Sequence, residues 1–294
     1  MEASSKSAAS LWSGLLPKDT TQATSFIEKN PNYDGRGIIV GILDTGVDAT
    51  AIGLEETSEG KRKVIDIIDC TGSGDVKLSD PILADANGLI SYGGRIIKIN
   101  PNWKNPSANY RVGLKAAFEL YPRGLISRVK EERKKKFMLE HNGSEAKLQK
   151  EISSLVDSDT SENAENIRAK KAQLLAMEKD FVDPGPLYDC IVFHDGDRYQ
   201  AVIDTSETGD MSEAETMTDY DYLFQTKRLS DVDNLTYGVH IYDDGSILSI
   251  VCDAGAHASH VAGVYSLIII LLSLSLNIIV IRYCCRISSF AART

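Results

Sequence analysis

Cysteine is scarce in this chain, five in 294 residues, and only Cys284 and Cys285 stand together. That spacing gives neither a disulfide framework nor a C-x-x-C zinc pattern, and it suits a reducing compartment. Positive charge is also in deficit. Lys and Arg number 32 against 42 Asp and Glu, a net charge of −10 with a pI near 5.1, which argues against a nucleic-acid binder. The opening MEASSKSAASLWSGLLPK is rich in small residues and serine but has no sustained apolar core, so no signal peptide is read there. Accordingly the sequons at Asn142 and Asn234 are expected to stay unmodified, outside the secretory pathway.

Against these absences two stretches stand out. GRGIIVGILDTGVD runs from Gly35 to Asp48. Ile38 to Leu43 is a short apolar run that reads as a buried parallel strand. Asp44 follows directly, where open α/β sheets place their sites. The plain alternative is an aspartate that merely caps the Thr45-Gly46 turn. The second stretch is GAHASHVAG, residues 255 to 263, with small residues between two histidines and an apolar run after them. It reads as a histidine turn opening a helix, although a lone histidine is often a packing or capping residue. A metal pair from His257 and His260 is disfavoured, because helical pairs on one ion are usually spaced i, i+4 and no carboxylate lies between these two.

Taken together, ILDTGVD followed by HASHVAG resembles the first two of the three active-site blocks of the subtilisin-like serine peptidases. In that family the blocks run Asp, His, Ser. The resemblance makes Asp44 the triad aspartate and His257 the triad base. Ala258 and Ser259 stand where the family usually has Gly and Thr, small-for-small changes that remove a glycine's backbone freedom beside the base. In this chemistry the imidazole takes a proton from a serine hydroxyl and returns it to the leaving amine. A buried carboxylate holds the ring in the right tautomer.

Far more chain separates Asp44 from His257 than in ordinary subtilisins, whose blocks lie a few dozen positions apart. A large insertion here resembles the branch of the family that releases tripeptides. GLLPK, NYDGRGIIVGILDTGVD, VIDIIDCTGSGDV, NPSANYRVG, DPGPLYDCIVFHDG and IYDDGSILSIV carry the likeness in order, over roughly residues 14 to 263. It implies a cytosolic serine exopeptidase without cofactor or metal, acting on peptides with free N-termini and assembling into very large homo-oligomers.

The expected fold is α/β, an incomplete subtilisin-like parallel-sheet domain with a large α+β insertion between the Asp and His blocks. Residues 1–30 form an N-terminal segment and 31–80 the start of the peptidase domain with the Asp block. The insertion divides into a largely helical arm at 81–186 and a β-rich unit at 187–251. Residues 252–263 are the His block, and 264–294 a hydrophobic tail outside the resemblance. From about Leu114 to Phe181 the insertion is charged and helix-prone, with KEERKKK at 130–136 and an interruption by SDTSENAEN at 158–166. Two helices in an exposed hairpin are expected, a candidate for contacts between subunits or domains. Interleaved acids and the lack of aromatic partners favour a solvated helix face over an RNA site.

Asp195-Gly196 and Asp244-Gly245, each between alternating apolar runs, predict hairpins. DTSETGDMSEAE, from Asp204 to Glu215, fits calcium-loop spacing with Gly209 sixth. Ser206 and Thr208 replace the expected ligands, however, and a polar acidic loop is the reading adopted.

The third block, a G-T-S-x-A turn, appears nowhere in the 294 residues. Ser73 in TGSGD lies between the Asp and His blocks and reads as a turn. The oxyanion asparagine that the resemblance implies is also missing; Asn277 alone follows His257, inside an apolar run. The glutamates with which the family grips a substrate's N-terminus would lie beyond the histidine block too. Without a serine there is no nucleophile, so the chain reads as a truncated, inactive N-terminal portion. The tail VYSLIIILLSLSLNIIVIRYCCRISSFAART begins where the resemblance stops. Residues 261–281 carry no charge and reach the length of about 20 residues that spans a membrane. Arg282 and Arg286 flank the run, and Cys284-Cys285 could be palmitoylated. Yet the family fold needs Val261 onward as a buried helix. Codons with U in the middle give apolar residues, and valine codons open with GU, as introns usually do. A truncated product from a retained intron or a gene-model error is therefore favoured over a membrane-anchored, non-catalytic regulator of the full-length enzyme.

Overall fold

The structure is a computed structural model and describes residues 20–33, 37–57, 59–155, 161–230, 232–266 and 277–282. GLLPK, Cys284-Cys285, Arg286 and most of the tail lie outside these residues. The chain forms two units, one from residues 1–115 with 188–294 and one from 116–187.

In the first unit a short helix α1 (Ala23–Lys29) precedes strand β1 (Ile39–Asp44), and β2 (Val64–Asp69) follows. Neither pairs with the other directly. Between them lies β13 (Asn277–Arg282), parallel to both, with Ile42 opposite Val280 and Val280 opposite Ile67. A β-branched run such as NIIVI suits a central parallel strand. Residues 277–282 of the tail are thus part of the sheet, and the uncharged run 261–281 is divided. Its first residues end a helix at Ser266, residues 267–276 lie outside the described residues, and its last residues enter β13. No helix among the described residues is long and apolar enough to cross a membrane.

One face of this sheet is covered. Ile42, Val64 and Ile67 pack with Val47, Leu54, Val251, Ala262 and Tyr220, whose hydroxyl donates to Val64 O at 3.1 Å. On the other face Ile39 and Leu43 are 57% and 64% exposed. Successive residues on a strand point to opposite faces, so odd-numbered Ile39 and Leu43 face away from the core that even-numbered Ile42 enters.

Strands fill the chain from here to residue 116, so the segment 81–186, expected to be a largely helical arm, opens with strands ahead of its helices. They are β3 (Asp75–Lys77), β4 (Ile82–Leu83), β5 (Leu89–Tyr92), β6 (Arg95–Lys98) and β7 (Asn109–Ala116). Alternation in LISYGGRIIK around Gly93-Gly94 makes β5 and β6 a hairpin. Ile90, Ile97 and Val112 bury fully on that side chain alternation, with Ile191 and Phe193. Residues 187–251 carry β8 (Leu187–His194), β9 (Tyr199–Asp204), a one-turn helix (Tyr220–Leu223), β10 (Lys227–Arg228) and β11 (Thr236–Tyr242), with β12 (Ile247–Cys252) closing the stretch; Asp195-Gly196 and Asp244-Gly245 each lie in the turn of an antiparallel pair. These strands do not stand alone, however. The sheet orders are β4-β7-β8-β9 and β10-β11-β12-β3, so both include strands from before residue 117.

The second unit holds two long helices, Arg123–Leu155 and Ser161–Lys179. SENAEN, read from the sequence as an interruption, is the first part of the second helix. Phe137 stacks on Phe181 at 4.0 Å, and Arg133 Nε donates to Asp183 Oδ1 at 2.9 Å.

Candidate active site

Asp44 ends β1, and the chain turns immediately after it. His257 stands in the first turn of the helix Ala256–Ser266, called here the histidine helix. The fold brings the two together across 213 positions of sequence, His257 Nδ1 to Asp44 Oδ2 at 2.6 Å. Asp44 Oδ1 accepts the Thr45 backbone N–H at 2.7 Å. Burial works against charge on Asp44, but the hydrogen bonds from Thr45 and His257 and the His257 charge hold its carboxyl below the usual carboxylate range. The carboxylate side chain is 15% exposed and the imidazole 71%. A shielded anion therefore orients an accessible ring. With Nδ1–H assigned to the aspartate by this geometry, Nε2 is the nitrogen left to take a proton.

Glycine at position 46 is required twice. Its φ is +96°, which L side chains rarely adopt, and a Cβ there would stand 2.4 Å from Cys252 O. This close approach lets the aspartate turn lock against the segment leading into the histidine helix. Ala254 N–H donates to Thr45 O at 3.0 Å, and Thr45 Oγ1 donates to Gly255 O at 3.3 Å. One turn along the helix, Ser259 Oγ accepts the Asp48 backbone N–H at 2.9 Å.

Asp48, Thr236 and Asp253 were not singled out in the sequence, and Ser259 only as a small residue beside the expected base. The available signal was a second aspartate close to each block, in DTGVD and in CDAGAH. His260, on the same helix, is exposed, and His257 Nδ1 faces the carboxylate of Asp44. Ser73 sits in a turn, its hydroxyl 2.5 Å from Thr71 Oγ1 and its N–H donating to that atom at 3.0 Å.

The calcium-like loop closes on itself. Asp204 Oδ1 accepts from Ser206 N–H and Oγ at 2.8 and 2.6 Å, and its Oδ2 from Gly209 N–H at 2.7 Å. The same wiring recurs at Asp69, which accepts from Thr71 N–H and Oγ1 and from Gly74 N–H. DCTGSGD and DTSETGD thus share one pattern at the ends of β2 and β9. In each loop the hydroxyls and amides supply donors where a cation would need oxygens.

No family model matches the chain. Tripeptidyl-peptidase 2 from Oryza sativa subsp. japonica is 38% identical over 265 residues, 85% of this chain and 19% of the relative. Tripeptidyl-peptidase 2 from Arabidopsis thaliana is 35% identical over 264 residues, again 85% and 19%. The crystal structure of tripeptidyl peptidase 2 superposes with a TM-score of 0.61 and 25% identity, covering 87% of this chain and 21% of that one. The chain spans about a fifth of the length of the relatives it matches.

Proposed function

The chain is homologous to a stretch of tripeptidyl-peptidase 2, a subtilisin-like serine peptidase, and from that premise we propose that Asp44 and His257 are the orienting carboxylate and general base of a tripeptide-releasing exopeptidase. The 2.6 Å contact between His257 Nδ1 and Asp44 Oδ2 carries the reading. It leaves Nε2 to accept the proton of a serine hydroxyl and hand it to the leaving amine, while the carboxylate stabilises the imidazolium. The substrates are peptides with free N-termini, the setting is the cytosol, and the whole enzyme works as a large homo-oligomer.

The 294 residues contain no serine block, so this polypeptide supplies base and carboxylate without a nucleophile or an oxyanion asparagine. Covalent catalysis needs both a nucleophile and a place for the negative charge to develop. The purified 294-residue polypeptide is therefore inactive by itself. A tripeptide-amide reporter and a serine-directed fluorophosphonate probe test this. Neither turnover nor labelling is expected, and His257→Ala changes neither result. In a fusion to the remaining portion of a tripeptidyl-peptidase 2, His257→Ala lowers turnover by several orders of magnitude, as loss of a triad member does. Reporter hydrolysis by the 294-residue polypeptide that disappears in His257→Ala would overturn the inactivity and point to a nucleophile among its own residues. A fusion that stays fully active without His257 would overturn the assignment of the base.

A further inference from the structure

Behind Asp44 and His257 lie two more carboxylates, Asp48 in the aspartate turn and Asp253 between β12 and the histidine helix. Thr236, at the start of β11, touches both. Its N–H donates to Asp253 Oδ1 at 2.8 Å, and its Oγ1 donates to Asp48 Oδ1 at 3.3 Å. Asp253 N–H returns a bond to Thr236 O at 3.2 Å. Asp48 Oδ1 also accepts Thr50 N–H at 2.9 Å and Thr50 Oγ1 at 2.6 Å. From this cluster two connections reach the histidine helix. One is covalent, through Asp253, Ala254 and Gly255. The other is the bond from Asp48 N–H to Ser259 Oγ.

We infer that Asp48 and Asp253, joined through Thr236, form a brace that sets the approach of His257 to Asp44, with Ser259 as the contact that transmits it. The inference rests on the Asp44–His257 reading and adds positioning residues to it. Neither carboxylate touches the reacting atoms. Both act through the placement of the helix.

The physical need for a brace follows from exposure. His257 is mostly open to solvent, so few side-chain contacts fix its ring. What holds it is the backbone of the helix start, tied to the aspartate turn by the bonds from Ala254 N–H to Thr45 O, from Thr45 Oγ1 to Gly255 O and from Asp48 N–H to Ser259 Oγ. Asp48 and Asp253 are held by the same threonine, and like charges so placed disfavour a second ionisation. Burial and the negative charge of Asp48 push the Asp253 carboxyl up to about 7. A protonated Asp253 still accepts the Thr236 N–H through its carbonyl oxygen, so the brace holds as a neutral acceptor beside an anion.

The test uses the whole 294-residue chain with 15N-labelled histidine, because nitrogen shifts report the tautomer of His257 without any turnover. In the parent chain the Nδ1-protonated tautomer predominates. Ser259→Ala and Asp253→Ala reduce its ratio to the Nε2-protonated form by about threefold or more, the factor that one lost hydrogen bond gives. Ser259→Thr and Asp253→Asn keep an acceptor oxygen in place and preserve the parent ratio. Asp44→Asn is the reference. If it leaves the tautomer unchanged, the Asp44–His257 reading itself fails. If Asp44→Asn shifts the tautomer while Ser259→Ala and Asp253→Ala do not, the pair stands and the brace is overturned. Should Asp253→Ala prove unfolded by circular dichroism, Thr236→Val decides in its place, since it removes only the hydroxyl bond to Asp48. An unchanged ratio in Thr236→Val and Ser259→Ala would then overturn the brace.

Discussion

His240 Nε2 donates to Asp66 Oδ1 at 2.9 Å and to Ile67 O at 3.0 Å, tying β11 to β2. Its Nδ1 stands 3.5 Å from Asp219 Oδ1, and the ring stacks with Tyr242 at 5.8 Å. The residue is 6% exposed. Burial opposes charge on this ring, but hydrogen bonds to Asp219 and Asp66, together with their negative charges, hold it up to about 9. A buried imidazolium between two carboxylates thus joins the sheet that carries Asp44 to the sheet that carries the brace.

The pH dependence follows from that raised value. The ring binds its proton more tightly in the folded chain, so the stabilisation is complete below about 6.5, the unfolded value, and is lost as pH rises through about 9. It amounts to on the order of 3 kcal/mol. Urea unfolding at pH 6 and pH 10, compared with His240→Gln, measures it. The parent is expected to exceed the variant by more at pH 6 than at pH 10. Equal differences at both pH values would show that charge on His240 contributes nothing.

Gly46→Ala tests the close approach of the aspartate turn. The new Cβ would meet Cys252 O at 2.4 Å with φ at +96°, and backbone at both sides cannot swing away as a flexible side chain would. Strain of roughly 1–3 kcal/mol is expected. It appears as a lower midpoint in urea unfolding and as loss of the Nδ1-protonated tautomer of His257. A variant with parent stability and parent tautomer would show that the turn relaxes freely.

Arg95 and Asp189 test a buried ion pair. The guanidinium Nε lies 2.8 Å from Asp189 Oδ1, and NH2 2.5 Å from Oδ2, while Asp189 is fully buried and the arginine side chain 33% exposed. Removing the arginine strands a buried charge. Arg95→Ala should cost about 3 kcal/mol, the low end for a broken buried pair because Arg95 keeps some solvent contact. Arg95→Ala together with Asp189→Asn should recover part of that loss. A double variant no more stable than the single one would argue that packing, not charge, holds this position.

Val280→Pro addresses the tail. β13 pairs on both sides, with β1 and with β2, and proline in a central strand removes a ladder bond and fits poorly. Destabilisation by about 3 kcal/mol or more is expected, accompanied by loss of the Asp44–His257 contact. If the variant unfolds at the parent's urea concentration, β13 is not a working part of the sheet.

The Asp and His blocks were legible because short motifs bind residue type to a local turn: D-T-G after an apolar run, and a histidine among small residues opening a helix. The Asp-Gly hairpins were legible for the same reason. What escaped was non-local. β5 and β6 sit in a stretch dominated, in composition, by the charged helices that follow, and only the Gly93-Gly94 alternation marked them. The tail strand was masked by its own hydrophobicity, since NIIVIR reads equally as the end of an uncharged membrane run; pairing partners over two hundred residues away decide between strand and span. Asp48 and Asp253 went unmarked, because only the fold reveals that one threonine holds both. SENAEN looked like a breaker because Ser, Asn and Glu favour helix starts as well as loops.

The separation of 213 positions between Asp44 and His257 has a kinetic meaning. Closing a structureless loop of that length would cost roughly 5 kcal/mol in chain entropy. The hairpins between the two residues are short-range, and local contacts form early. Each one that forms shortens the remaining gap, until the ends of β1 and β12 are neighbours. The contact between carboxylate and imidazole is therefore expected to be among the last to appear during refolding. A chain whose intervening hairpins have misregistered never brings the imidazole to the carboxylate, so the appearance of the His257 Nδ1–H signal in a refolding experiment would time the completion of everything enclosed between the two residues.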